Sequence, residues 1–284
     1  MAPAPVTGDG DGLSLQEAAD RLGVHYMTAY RYVRLGLLPA AKEGSTWRVA
    51  TADLDRLTGP GGLASKGRGR RDPAPWGSRL ERRLVAGDEV GAWGVVEAAL
   101  AAGTDPPAVY LDVLAPAMTA IGDAWAAGEV DVSVEHRASA IVLRLVGRLG
   151  PRFARRGVSR GCVLLAAPQG DLHGLPVALA ADLVRGAGFD AEDLGADLPL
   201  TSLAAAAARS QRLVAVALAA TTPDNRPAVE EAVRCVREIV DGVPVLVGGG
   251  AVPDEAAARR LGADGWGRDG AALVDLLEAL PSAT

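Results

Sequence analysis

Residues Cys162–Pro176 read CVLLAAPQGDLHGLP. The opening run, Cys162-Val-Leu-Leu-Ala-Ala167, is apolar without alternation, as a strand covered on both faces by helices must be. Pro168 and Gly170 then break the run, and Asp171 stands two residues before His173 at the start of helical text from Leu175 to Gly186. The order recurs downstream: Phe189–Leu194 is strand-like, Leu200–Arg209 helical, LVAVALAA from Leu213 strand-like, Pro227–Val240 helical and VPVLVGGG from Val243 strand-like, before terminal helical segments. Such alternation predicts a five-stranded, doubly wound, Rossmann-like α/β domain over residues 158–284. Ligands of these sheets settle outside the carboxyl ends of the strands, so the first such loop, with Asp171 and His173, is the candidate site. A carboxylate beside an imidazole fixes its tautomer and raises its basicity, as a metal-ligating His requires. The same pair can also be a helix cap and a solvated ring.

Upstream, residues 76–157 read as four helical stretches, WGSRLERRLVAG, EVGAWGVVEAALAAG, PPAVYLDVLAPAMTAIGDAWAAG and DVSVEHRASAIVLRLVGRLGPRF, punctuated by Gly and Pro. Val109, Leu111, Val113, Leu114, Met118 and Ile121 recur near helical spacing, and short connections predict a four-helix bundle. TGPGGLASKGRGRRDPAP, residues 58–75, offers almost nothing to bury and reads as a flexible basic linker. Residues 1–57 form a further module. Ser14-Leu-Gln-Glu17 is a capping box, Leu15, Ala18, Ala19 and Leu22 share one helix face, and Gly23 precedes a second amphipathic stretch from His25 to Val33. Helix, tight turn, helix is the result. Lys42-Glu-Gly-Ser-Thr-Trp-Arg48 follows as a Gly-containing turn between extended residues, with Trp47 expected to pack underneath.

The chain of 284 residues carries a formal net charge of -6, which excludes a wholly basic nucleic-acid coat but leaves local basic surfaces open. No apolar run is long enough for a transmembrane helix and no basic-then-apolar leader is present, so a cytoplasmic protein without a membrane partner is expected. Cys162 and Cys235 are far apart in apolar contexts and predict free thiols. No acid-base or nucleophile set is visible, and the chain is not expected to be an enzyme.

Each module resembles a known family. LSLQEAADRLGVHYMTAYRYVRLGLLPAAKEGSTWRVATADLDRL is similar to the MerR-type and excisionase-type winged helix-turn-helix. That resemblance implies a double-stranded DNA operator, read by Tyr26, Thr28 and Arg31 in the major groove with Lys42, Ser45 and Arg48 on the backbone. The Asp171-Leu-His173-Gly loop looks like the DxHxxG motif of cobalamin-binding Rossmann domains, whose His is the lower cobalt ligand. Gly248-Gly249-Gly250 is similar to that family's later Gly pair, which admits the nucleotide tail. Pro176 stands where the motif has Gly, and Ala219-Ala-Thr221 where many members have Ser-x-Leu. Trp125 and Glu135-His136 are spaced as in the W-x9-EH motif of light-sensing, adenosylcobalamin-binding regulators related to CarH and LitR, where they cap the upper face of the cofactor. Ala126 stands where the best-known members have a His.

Taken together, the resemblances imply a light-sensing transcriptional repressor whose bound adenosylcobalamin controls a homo-oligomer, a tetramer by analogy, and through it DNA affinity. Two alternatives compete. In one, the pocket is degenerate and senses another cofactor, a different tetrapyrrole or redox state. In the other, the chain is a corrinoid carrier for methyl transfer, since a helical cap plus a Rossmann domain is also the architecture of those proteins.

Overall fold

The structure is a computed structural model that describes residues 12–22, 29, 33, 38–43, 46–58 and 75–280. The chain divides into two compact units, Met1–Ala74 and Pro75–Thr284. Tyr26, Thr28, Arg31 and Ser45, and most of the basic linker, lie outside the described residues.

In the first unit, β1 (Gly12–Ser14) leads into α1 (Leu15–Leu22), and β2 (Ala41–Glu43) and β3 (Thr46–Ala50) precede α2 (Thr51–Thr58). The capping box forms as its residue types require: Ser14 N donates to Glu17 Oε2 at 2.7 Å, and Glu17 N donates to Ser14 Oγ at 3.2 Å. The strands make an antiparallel sheet of order β1-β3-β2, with Lys42 opposite Trp47. Leu15, Ala18, Ala19, Val49 and Leu54 are buried together, and Trp47 packs against them. Lys42 and Arg48 are exposed on the hairpin, with Arg48 Nη1 donating to the Gly12 carbonyl at 3.0 Å.

The second unit begins with helices. α3 (Trp76–Val85) and α4 (Glu89–Ala101) are followed by α5 (Pro106–Val109), a π-helical turn (Tyr110–Leu114) and α6 (Ala115–Ala126), then α7 (Val132–Leu149). Asp88, Asp105 and Asp131 cap α4, α5 and α7 by accepting from Gly91 N, Ala108 N and Ser133 N at 2.7–2.8 Å. The widened π turn has a local cause, because Pro116 has no N–H to give the Asp112 carbonyl and its ring crowds that oxygen. Gly77 of α3 lies close by, where a Cβ would come within 3.6 Å of the Asp112 oxygen.

Five parallel strands follow: β4 (Cys162–Ala166), β5 (Asp190–Asp193), β6 (Leu213–Ala219), β7 (Val245–Gly248) and β8 (Gly265–Gly267), in the order β5-β4-β6-β7-β8. The chain leaves β4 toward one edge and returns to the other side of it at β6, so the switch point lies between those two strands. Helices α8 (Gly174–Gly186) and α12 (Gly270–Glu278) cover one face, while α9 (Leu200–Arg209) and α10 (Arg226–Ile239) cover the other. α11 (Glu255–Arg260) links β7 to β8. Val163 and Leu165 face one core and Leu164 the other, which is why β4 reads apolar at every position. β8 falls in text that reads as terminal helix. Its three residues, Gly-Trp-Gly, are too few to show a period, and Trp266 Nε1 is held by the Val252 carbonyl at 2.8 Å.

The helical layer and the sheet layer are joined by a buried polar contact. Tyr110 Oη in the π turn donates to Asp182 Oδ2 of α8 at 2.7 Å, and Asp182 Oδ1 accepts from Arg185 at 2.8 Å. Burial, then the adjacent carboxylate, push the phenol above its ordinary value, so it remains a donor. Tyr110→Phe keeps the ring against Phe153 and removes only the hydroxyl. We expect it to lower unfolding free energy by about 2 kcal/mol, the scale for a hydrogen bond to a charged group, as a shift in urea midpoint.

Candidate functional site

Asp171 is fully buried in the loop after β4. Its Oδ1 accepts from the His173 amide at 3.0 Å and from His173 Nδ1 at 2.7 Å, while its Oδ2 accepts from the Thr221 amide at 2.7 Å. The carboxylate thus ties the loop after β4 to the loop after β6, across the switch point. Burial alone would push its pKa up, but the Thr221 and His173 amides, the His173 ring and the Asn225 side chain outweigh this and hold it below its ordinary 3.8. A depressed carboxyl contributes stability that is complete above the unfolded-state value and is lost as pH falls through the folded-state value. Asp171→Asn should therefore flatten the part of the acid-unfolding curve below about pH 4, as read by circular dichroism.

A carboxylate can only accept, so Nδ1 donates to Asp171, and Nε2 is the ring nitrogen that the carboxylate does not engage. The His173 side chain is 45% exposed, and Nε2 makes no hydrogen bond among the described residues. The ring therefore stands at the amino end of α8 with one nitrogen fixed and the other available.

The turn between α6 and α7 carries the other predicted group. Trp125 is 47% exposed, Gly128 takes φ 76° to turn the chain, and Asp131 starts α7. Glu135 Oε2 meets His136 Nδ1 at 2.6 Å, and Glu135 Oε1 accepts from Ser139 Oγ at 2.7 Å. Burial works to raise the Glu135 pKa, but these two hydrogen bonds, with the charges of His136 and His173, pull it below the usual range. The Trp125 indole makes no hydrogen bond among the described residues.

Beside the loop lies a cavity of about 320 Å³, apolar over most of its wall, lined among others by Leu111, Met118, Pro176, Ala219, Gly248 and Gly249. The glycines are needed by the backbone itself. A Cβ on Gly248 would lie 2.4 Å from the Gly267 oxygen, one on Gly249 2.3 Å from the Ala220 oxygen, and one on Gly250 2.7 Å from the Thr221 oxygen. Three site features escaped the sequence reading. Thr221 and Asn225 as partners of Asp171 depend on strand order, and Met118 as a cavity wall has the helical spacing of any core residue.

Models described as B12 binding domain match residues 77–149 and 161–275, and one described as helix-turn-helix domain matches residues 13–58. The matches support a cobalamin-binding protein. Trimethylamine corrinoid protein 1 of Methanosarcina acetivorans is 28% identical over 198 residues, covering 68% of this chain and 91% of its own. A corrinoid protein of Desulfitobacterium hafniense is 27% identical over 206 residues, covering 69% and 93%. The structure of the Methanosarcina barkeri monomethylamine corrinoid protein aligns with TM-score 0.62 at 21% identity over 71% of this chain and 96% of that one, which shows a shared fold.

These relatives overturn the expectation of a light-sensing repressor. They are named as corrinoid proteins, five of the matched names carry trimethylamine, and they are matched over nearly their whole length. With that expectation go the light-driven change of assembly and its control of DNA affinity. The physical reason is that a flat indole and a polar Glu-His edge suit the cover of any corrinoid, whatever signal or group it carries. A corrinoid cofactor is supported; the adenosyl group had rested on the light-sensing resemblance alone. No helix among the described residues is long and apolar enough to cross a membrane.

The residues present fit such a cofactor. Among the described residues there is no cluster of three or more metal-ligating side chains. His173 thus offers one nitrogen, which suits a metal that brings its own equatorial ring. The apolar cavity next to it suits a heterocyclic tail.

Proposed function

We propose that the second unit is a corrinoid carrier for methyl transfer, in which His173 would hold the cobalt through Nε2. The observation that carries this reading is the Asp171–His173 pair at the switch point, in a chain whose relatives are trimethylamine corrinoid proteins. When bound, the corrinoid supplies a cobalt centre that accepts and releases a methyl group. Asp171 holds the His173 ring by Nδ1, which fixes its orientation and increases the basicity of Nε2 as a ligand. Trp125, Glu135 and His136 would cover the group from the helical layer, the indole excluding water and the paired carboxylate and imidazole offering hydrogen bonds. The cavity beside Gly248 and Gly249 would receive the nucleotide tail, with Ala219 leaving its wall without the hydroxyl that Ser would supply. On this reading the chain is not itself an enzyme and presents its methyl group to separate methyltransferases.

Gel filtration after incubation with methylcobalamin tests the reading: about one corrinoid per chain should co-elute. Labelled methyl from a methylated amine, supplied with extract of the source cells, should then appear on the chain-bound corrinoid. Failure to retain any corrinoid would sink the cofactor assignment, and retention without labelling from any methyl donor would sink the carrier role.

A second reading concerns only the first unit. The helix-turn-helix match over residues 13–58, with Lys42 and Arg48 exposed on the β2–β3 hairpin, favours contact with double-stranded DNA. Lys42→Ala should weaken duplex binding evenly across sequences and lower the salt slope by about one. Fluorescence anisotropy over a salt series checks this.

A further inference from the structure

We propose that the loop Ala154–Gly161 and the turn from α8 to β5 form a second ligand site, which binds a small polyphosphate anion. The site lies at the amino edge of the sheet, the end opposite His173, where Arg160 N donates to the Gly188 carbonyl just before β4 and β5 begin. A cavity of about 380 Å³ opens there, and Arg155, Arg156, Arg160 and Arg185 line it with one carboxylate, Asp190. The sequence RFARRGVSR from Arg152 to Arg160 holds four arginines and no acid in a chain of net charge -6. Guanidinium groups gathered around one concavity repel each other, and a bound polyanion relieves that cost.

The walls are fixed and the tips are not. Ser159 Oγ donates to the Gly161 carbonyl at 3.1 Å and accepts from the Asp190 amide at 3.1 Å, and Arg212 clamps the Ser159 carbonyl at 2.7 Å. Arg185 is held by Asp182 and by the Ala191 carbonyl at 2.9 Å. Arg160 lies over the Phe189 ring at 4.5 Å and reaches Glu278 only at 3.7 Å. Arg155 and Arg156 have no ion pair or hydrogen bond among the described residues. Arg155 and Arg160 converge on Gly188, where a Cβ would lie 3.9 Å and 3.7 Å from their Cδ atoms. Adjacent planar forks without acceptors match successive phosphoryl groups better than a single carboxylate, and a concavity of about 380 Å³ suits a small anion better than a duplex.

Calorimetric titration of the full chain with inorganic tripolyphosphate in low-salt, phosphate-free buffer tests this. Saturable binding of one anion per chain is expected, at least ten-fold weaker in the double variant Arg155→Gln, Arg156→Gln and unchanged in Arg79→Gln, Arg82→Gln on α3. ATP as a second titrant separates the sources: binding equal to tripolyphosphate assigns the phosphate chain, and tighter binding assigns a nucleotide. The proposal is overturned by the absence of saturable heat at millimolar titrant, by equal affinity in the double variant with an unchanged thermal midpoint, or by a DNA duplex binding through these arginines while tripolyphosphate does not. The site is far from the corrinoid pocket, so the titration is read equally well on corrinoid-free and corrinoid-loaded chain, and its failure leaves the carrier reading intact.

Discussion

His173→Ala should weaken corrinoid retention by about 100-fold or more, because it deletes the one nitrogen aimed from the sheet edge. Loss of an outer partner of a metal-bound His typically costs about 10- to 100-fold, and loss of the ligand itself should exceed that. The absorption spectrum of any corrinoid still bound should shift to that of a water-ligated lower face. Asp171→Asn separates positioning from ligation. Its carboxylate accepts from two amides and a ring nitrogen, whereas an amide side chain has one accepting oxygen and must turn its NH2 toward another donor. Affinity should fall about 10-fold, and the buried mismatch should cost about 1–3 kcal/mol of stability. Wild-type retention in His173→Ala, measured by dialysis against free cobalamin, would remove His173 from the site.

Gly249→Ala is expected to destabilise the second unit by about 3 kcal/mol, combining a left-handed backbone with a backbone clash. The residue takes φ 91°, and its Cβ would sit 2.3 Å from the Ala220 oxygen. Neither can relax cheaply, because Ala220 N is itself bound to the Gly248 carbonyl at 2.9 Å. Displacing Ala220 also moves Thr221, whose amide holds Asp171, so corrinoid retention should fall with stability. Gly94→Ala provides the contrast. It lies within α4, where a Cβ would meet nothing within 4 Å, and should gain about 0.5–1 kcal/mol. Two glycine-to-alanine changes of opposite sign, measured by urea unfolding, would show that position rather than composition decides. If Gly249→Ala is neutral, the packing of the loop after β7 is not as described.

The parts of the fold carried by local pattern were legible in the sequence. β4 announces itself because both its faces are buried, and the Asp171–His173 loop because Pro168 and Gly170 separate it from flanking regular text. β8 was not legible, since three residues cannot display a period, and neither was the π turn, which follows from the steric demand of Pro116. The pairing of Asp171 with Thr221 joins residues fifty positions apart and exists only once β4 and β6 are neighbours. The light-sensing expectation failed differently. Trp125, Glu135 and His136 describe the chemistry of a cover, and a cover does not specify what is delivered beneath it. Ala126, in place of the expected His, was the residue that already pointed elsewhere.

Helix α8 has His173 at its start and Asp182 nine residues along, about 13 Å away at 1.5 Å per residue, where Tyr110 of the helical layer holds it. A helix this short behaves as a rigid rod. If the chain carries a methylated corrinoid, as proposed, a partner that moved the helical layer aside would either break the Tyr110–Asp182 bond or draw α8, and with it the His173 imidazole, along with the layer. On that reading, opening the helical layer and moving His173 would be coupled through α8, which Tyr110 and the packing of Leu175, Leu179 and Leu183 hold to the layer.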